Sequence, residues 1–219
     1  MARIEPCNHC RVISFRPVLI ARCGWQSARV DAGVRGSGKD MEKIFWVDME
    51  MTGLNPLEAV ILEFAGIVTD LDLTVLDSFH EVVYQDRREL VKMNEWNRTT
   101  HAESGLLDAV PNGKPIEEVD ERILAFLQPH FPDEEPILAG NSIHQDRKFI
   151  DRYMPRLSAF LHYRMIDVSS FKMVFKHMYG LTYKKDTPHR AFDDILASIE
   201  ELSYYRQFIK VPAITDAKG

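Results

Sequence analysis

Two acids one residue apart close an apolar run: Asp48 and Glu50 in Phe45-Trp46-Val47-Asp48-Met49-Glu50-Met51-Thr52-Gly53-Leu54. Side chains two apart on a strand share a face, so both carboxylates aim together and Met49 aims away. Carboxylates so placed repel unless positive charge sits between them. A hard divalent cation, which takes oxygen ligands, meets that need; a solvated acid beside a salt bridge is the plainer alternative. Asp146 adds weight to the first reading. On a helix it shares a face with Ile143, Ile150 and Tyr153, so it points inward, where an acid needs a partner. A further group is His189-Arg190-Ala191-Phe192-Asp193-Asp194. Helical spacing pairs His189 with Asp193, whereas Asp194 falls beside the small Ala191; spacing leaves both aspartates open. Four acids on three elements, with one His, suit phosphoryl chemistry on two divalent ions about 3.5–4 Å apart. Two Mg2+ or Mn2+ would neutralise the four carboxylates. A His of ordinary pKa, about 6.5, suits a general base for water. Zinc alone suits this region less, since it lacks Cys and clustered His.

The elements that must position these residues follow from periodicity. Residues 43–48 read as a first strand, and 60–69 as a nearly all-apolar central strand. Glu63 interrupts that strand, and the pattern assigns it no role. Residues 77–84 alternate as a third strand, completing an antiparallel meander. Short helices are expected over 87–93 and 95–101, then a stronger one from Ile116 to Leu127 opened by Pro115. A strand over 136–139 turns at Gly140-Asn141-Ser142 into a helix reaching about residue 154. A strand over 163–168 leads to a helix with Phe171, Val174, Phe175 and Met178 on one side. Thr187 would cap a last helix, with Pro188 at its first position and Ala191, Ile195, Ile199 and Leu202 as its inner stripe. Trp46 reads as core. Together these indicate an α/β domain with a mixed sheet.

The 219 residues, 45% hydrophobic, can build a sizeable core. No stretch of 18 apolar residues occurs, so no spanning helix and no membrane partner are expected. The net charge of −6 is uneven. Residues 1–40 hold six Arg and one Lys against three acids, a net of +4, which leaves −10 for residues 41–219. An acidic domain is a poor trap for long nucleic acid, whose binding depends on releasing many counterions. The basic leader fits a mitochondrial presequence, with a cytoplasmic location alongside, and a plain disordered start is the alternative. Cys7, Cys10 and Cys23 all lie within it, and free thiols are the plain reading of all three. The expected organisation is a leader over 1–40, a catalytic domain over 41–210 and a tail over 211–219.

Asp48 and Glu50, Asp146, and His189-x-Ala191-x-x-Asp194 resemble the DEDDh 3′→5′ exonucleases of the ribonuclease H-like fold. Trp46 to Leu54, Trp96-Asn97, Gly140-Asn141-Ser142-Ile143, His162-Tyr163-Arg164 with Asp167-Val168-Ser169, and Ala191 to Ile195 narrow the resemblance to the oligoribonuclease family, over residues 43–210. The segment 179–188 before the His is short and basic, and members vary there. The resemblance implies hydrolysis of short single-stranded RNA, down to dinucleotides, to 5′-mononucleotides. It implies Asp48, Glu50, Asp146 and Asp194 as metal ligands, preferring Asp194 to Asp193, and His189 as the base. It also implies a homodimer in which Tyr163 of one protomer completes its partner's site. Leu54 would wedge between bases, Trp96 would stack on one, and Ser142, Arg164 and Ser169 would cap a 5′ phosphate. His101 is either a further substrate contact or a structural histidine. The rival readings are a DEDDh exonuclease acting on longer RNA or DNA ends, and an inactive RNA-binding adaptor.

Overall fold

The computed structural model describes residues 42–184 and 190–210. The whole leader with its three cysteines, Thr187, Pro188, His189 and the tail lie outside these residues. The meander comes first: β1 (Lys43–Met51), β2 (Ile61–Asp70) and β3 (Val75–Val82). α1 (Arg87–Leu90), α2 (Glu95–Glu103), α3 (Leu106–Ala109) and a 3-10 turn (Val110–Asn112) follow, then α4 (Ile116–Leu127). The rest alternates: β4 (Leu138–Gly140), α5 (His144–Tyr153), α6 (Pro155–Phe160), β5 (Met165–Asp167), α7 (Val168–Tyr179) and α8 (Ala191–Arg206). The sheet order is β3-β2-β1-β4-β5. β1, β2 and β3 are antiparallel neighbours, and β4 and β5 run parallel to β1. This is a mixed α/β sheet of the ribonuclease H-like kind.

Each face of β1 builds its own core. Phe45, Val47 and Met49 pack with α4, α5 and α6. Ile44 and Trp46 point the other way, against α7 and α8 through Val168, Phe175, Ala191, Ile195, Ile199 and Leu202. A smaller cluster, Leu62, Met93, Leu106 and Val110, seats α1 and α3. Trp46 is fully buried, and its indole N–H donates to Thr69 Oγ1 at 2.9 Å. No described helix is long and apolar enough to cross a membrane.

Several boundaries differ from expectation. β1 runs on to Met51, so the paired acids lie inside the strand. β5 is only three residues long. α6 is an additional helix, begun by Pro155 and capped from a distance: buried Asp120 accepts the Arg156 and Leu157 amides at 3.0 and 2.9 Å. The last described helix starts at Ala191 behind Arg190, a residue in extended conformation. On α7 the expected apolar side is only partly covered: Phe175 is buried, whereas Val174 and Met178 face solvent.

Candidate active site

Asp48 and Glu50 continue the β1 face that carries Ile44 and Trp46, so they look onto α8. Asp194 sits in the first turn of α8, beside the buried Ala191 and Ile195. Carboxylate oxygens of Asp48, Glu50 and Asp194 all lie within 4.8 Å of one another. Asp193 is not in this group, so the packing of α8 separates two aspartates that spacing alone could not. Asp146 stands outside the close trio but beside it. It is buried on α5, and its carboxylate takes hydrogen bonds from its own amide and that of Met49. The parallel pairing of β1 with β4 stops at Trp46 opposite Ala139. Asp146 therefore serves a strand amide beyond the end of that ladder.

The four acids are crowded. Burial pushes the Glu50 carboxyl up to about 8, and the charges of Glu63, Asp194 and Asp146 add to this, with Arg190 opposing. Burial likewise pushes Asp146 up to about 7; its backbone hydrogen bonds oppose this and Asp167 adds to it. A cluster of oxygen donors that holds protons this tightly fits a hard divalent cation, which would displace them. His189 lies outside the described residues, one position before Arg190.

His101 is buried. One ring nitrogen bonds the Met51 carbonyl at 3.0 Å, and the other lies 3.8 Å from Glu50. Its place is behind the carboxylate cluster rather than on the open surface. Leu54 and Trp96 are exposed, at 75% and 65%. The loop bearing Leu54 is pinned from two helices. Asn97 on α2 donates to the Thr52 carbonyl at 3.0 Å, and Gln145 on α5 donates to that of Leu54. The Tyr153 hydroxyl donates to Ala59 O at 2.7 Å and Pro56 O at 3.1 Å. Exposed apolar side chains on a pinned loop and an adjacent helix suit contact with nucleobases.

Ser142 and Ser169 come together, with the Ser142 amide donating to Ser169 Oγ at 2.9 Å. Tyr163 is 70% exposed; its ring stacks on His162 at 4.5 Å and lies under the Arg164 guanidinium at 5.0 Å. Arg164 is thus an exposed cation available to an anion.

Periodicity gave no role to Glu63, which faces Glu50 across β1 and β2. It is fully buried, and its oxygens receive Arg190, the Ala191 amide at 3.2 Å and His80 at 2.8 Å. Its carboxyl is held down at about 2: the His80 and Arg190 hydrogen bonds outweigh the burial that would raise it. Asn141, Asn97, Gln145 and Glu201 were also missed. An acid inside an apolar strand was the available signal for Glu63, and Asn97 and Asn141 stood within the quoted motifs without a role assigned to either.

A family model for exonucleases, RNase_T, matches residues 45–202. The oligoribonuclease of Chromobacterium violaceum is 44% identical over 179 residues, 79% of this chain and 99% of that protein. That of Neisseria meningitidis serogroup B is 43% identical over 80% of this chain and 96% of its own. Among solved structures, exonuclease I from Methylocaldum szegediense superposes with a TM-score of 0.59 at 17% identity, covering 76% of this chain. E. coli exonuclease I in complex with a 5cy-dT13 oligonucleotide gives 0.57 at 14% identity and the same coverage. The chain spans about two fifths of the length of these two enzymes, 41% in each case, and at such identity they speak to the fold alone.

Proposed function

We propose a function from one premise: the chain belongs to the oligoribonuclease family of exonucleases. It is a metal-dependent exoribonuclease that removes 5′-mononucleotides from the 3′ end of short oligoribonucleotides, down to dinucleotides. The observation that carries this is the meeting of Asp48, Glu50 and Asp194 from β1 and α8 within 4.8 Å, with Asp146 alongside. Those four acids would hold the metal, two Mg2+ or Mn2+ ions in our reading. When bound, the ions supply positive charge against the oxygens of the scissile phosphate. His189 is the base that takes a proton from the attacking water. Leu54 and Trp96 grip the bases, and Ser142, Ser169 and Arg164 receive the 5′ phosphate. A closed cap at the 5′ end favours short substrates, because a longer chain collides with it.

Two finer points belong to the same reading. The exposed Tyr163, stacked between His162 and Arg164, supports a homodimer in which each Tyr163 serves the partner's site. The basic leader supports mitochondrial import, with a cytoplasmic pool alongside; fusing residues 1–40 to a fluorescent reporter tests this. The competing reading is an exonuclease for longer RNA or DNA ends. Hydrolysis of a labelled diribonucleotide beside a labelled 20-mer separates them. Preference for the dinucleotide is expected, and preference for the 20-mer would defeat the proposal.

A further inference from the structure

We propose that Asn141 and Glu201 are positioning residues that set the spacing between the 5′-phosphate cap and the metal cluster, an inference that rests on the cap reading above. Glu201 on α8 is fully buried. Its oxygens receive the Tyr205 hydroxyl at 2.9 Å and Asn141 Nδ2 at 3.1 Å. Lys172 stands 3.6 Å away. Apolar side chains of similar volume commonly stabilise a fold as well as a buried charge does. What this acid adds is direction. A carboxylate only accepts hydrogen bonds, so it fixes which end of the Asn141 amide faces α8.

The consequences run both ways from Asn141. Its Nδ2 also reaches Ser198 Oγ at 2.9 Å, and that hydroxyl donates to the Asp194 carbonyl at 2.8 Å. Its Oδ1 accepts the Ser169 hydroxyl at 3.1 Å, which leaves the lone pairs of Ser169 for the Ser142 amide at 2.9 Å. Asp167 Oδ1 takes the same Ser142 amide at 3.0 Å. Ser142 itself has φ of 51°, a left-handed conformation that a serine holds only when its surroundings impose it. One side-chain amide therefore joins the backbone of a metal-ligating residue to the strained turn that presents a cap serine. The links from Asp194 through Ser198 and Asn141 to Ser169 are part-buried hydrogen bonds, and the last one, to the Ser142 amide, is exposed, so a continuous chain of hydrogen bonds spans the distance from cap to metal.

The test is steady-state kinetics of the full chain with Mn2+, on a diribonucleotide with and without a 5′ phosphate. The proteins are wild type, Asn141→Asp, Glu201→Gln and the Asn141→Asp/Glu201→Gln double variant, each with its melting temperature. Wild type should show the lower KM for the 5′-phosphorylated substrate. Asn141→Asp sets two carboxylates against each other. It should raise that KM on the order of tenfold while raising the KM for the 5′-hydroxyl substrate much less. In the double variant a glutamine amide can again donate across that contact, and the selectivity should return in part, the donation from residue 141 to Ser198 Oγ staying lost. Glu201→Gln, which keeps its shape, should show the same selective loss in weaker form and guards against misfolding of the first variant. Equal KM values for the two substrates in wild type would overturn the cap and this proposal with it. A wild-type preference that survives in both single variants, whatever happens to their melting temperatures, would overturn the link alone.

Discussion

The Glu63 carboxylate and the Arg190 guanidinium, 127 residues apart in the chain, meet beneath the start of α8. Nη2 and Nε approach the same carboxylate oxygen at 2.5 and 3.1 Å. Arg190 also donates to the Ser104 carbonyl at 3.1 Å. Glu63 receives the Ala191 amide as well, so one buried acid fixes both the residue before α8 and its first turn. Arg190→Ala should therefore lower stability by about 3 kcal/mol, because it strands a buried charge. Activity should fall as well, since Asp194 follows within one turn. Urea unfolding beside steady-state rates checks this; unchanged stability would mean that the pair is not a clamp.

Asp194→Asn leaves size and hydrogen bonding almost intact but removes one negative charge from the cluster. Turnover should drop by roughly two to three orders of magnitude. Titration calorimetry with Mn2+ should show weakened binding in the same variant. Asp193→Asn, whose carboxyl lies outside the cluster, should keep most of its activity. A reversed ranking would reassign the α8 ligand.

Acid–base behaviour should differ between metal-free and metal-bound protein. Glu50 and Asp146, raised to about 8 and 7, hold protons in the folded state that the unfolded chain has already released. Their contribution to stability is complete below the unfolded values, near 4, and is lost as pH climbs through 7 to 8. Glu63, lowered to about 2, works oppositely: its contribution is present above the unfolded value and is lost as pH falls through 2. In chelator, the melting temperature should decline between pH 5 and about 8.5. Saturating Mn2+ should offset this increasingly as pH rises, because protons and metal compete for the same oxygens. Melting curves that do not move with pH in chelator would contradict the crowding of these acids.

Trp96→Ala should raise KM for dinucleotides by the worth of one base stack, about 1–3 kcal/mol, with little change in kcat. Trp96→Phe should recover much of the loss. A lowered kcat at constant KM would move Trp96 from substrate contact to support of the cluster.

If Tyr163 works in the partner's site, two inactive variants should rescue each other. Asp48→Ala and Tyr163→Ala, mixed one to one and allowed to exchange, should regain about a quarter of wild-type activity, since half the dimers then carry one intact site. No recovery after confirmed exchange would confine each site to one protomer.

Some of this architecture is written locally and some is not. The common direction of Asp48 and Glu50 follows from the pleat of a strand, and the inward Asp146 from the apolar residues around it on its helix. The choice between Asp193 and Asp194 depends on how α8 is rolled against β1, which no local spacing encodes. Glu63 stood out as an acid in an apolar strand, but its main partner lies 127 residues away. The end of α5 near residue 154 was legible, but the new helix α6 that follows it was hidden for a related reason. α6 begins where Asp120, from the preceding α4, caps it across the fold. The meander and the order of later elements were legible because each follows from periodicity and turn residues alone.

Gly140 ends β4 so close to β1 that a side-chain carbon there would sit 2.7 Å from the Val47 carbonyl oxygen. Val47 is the immediate neighbour of Asp48, and Gly140 stands two positions before Ser142. A single added methyl group would therefore strike two distant duties of the molecule at once. Anyone screening variants should see Gly140→Ala damage hydrolysis and end-group discrimination together, from a position that never touches RNA.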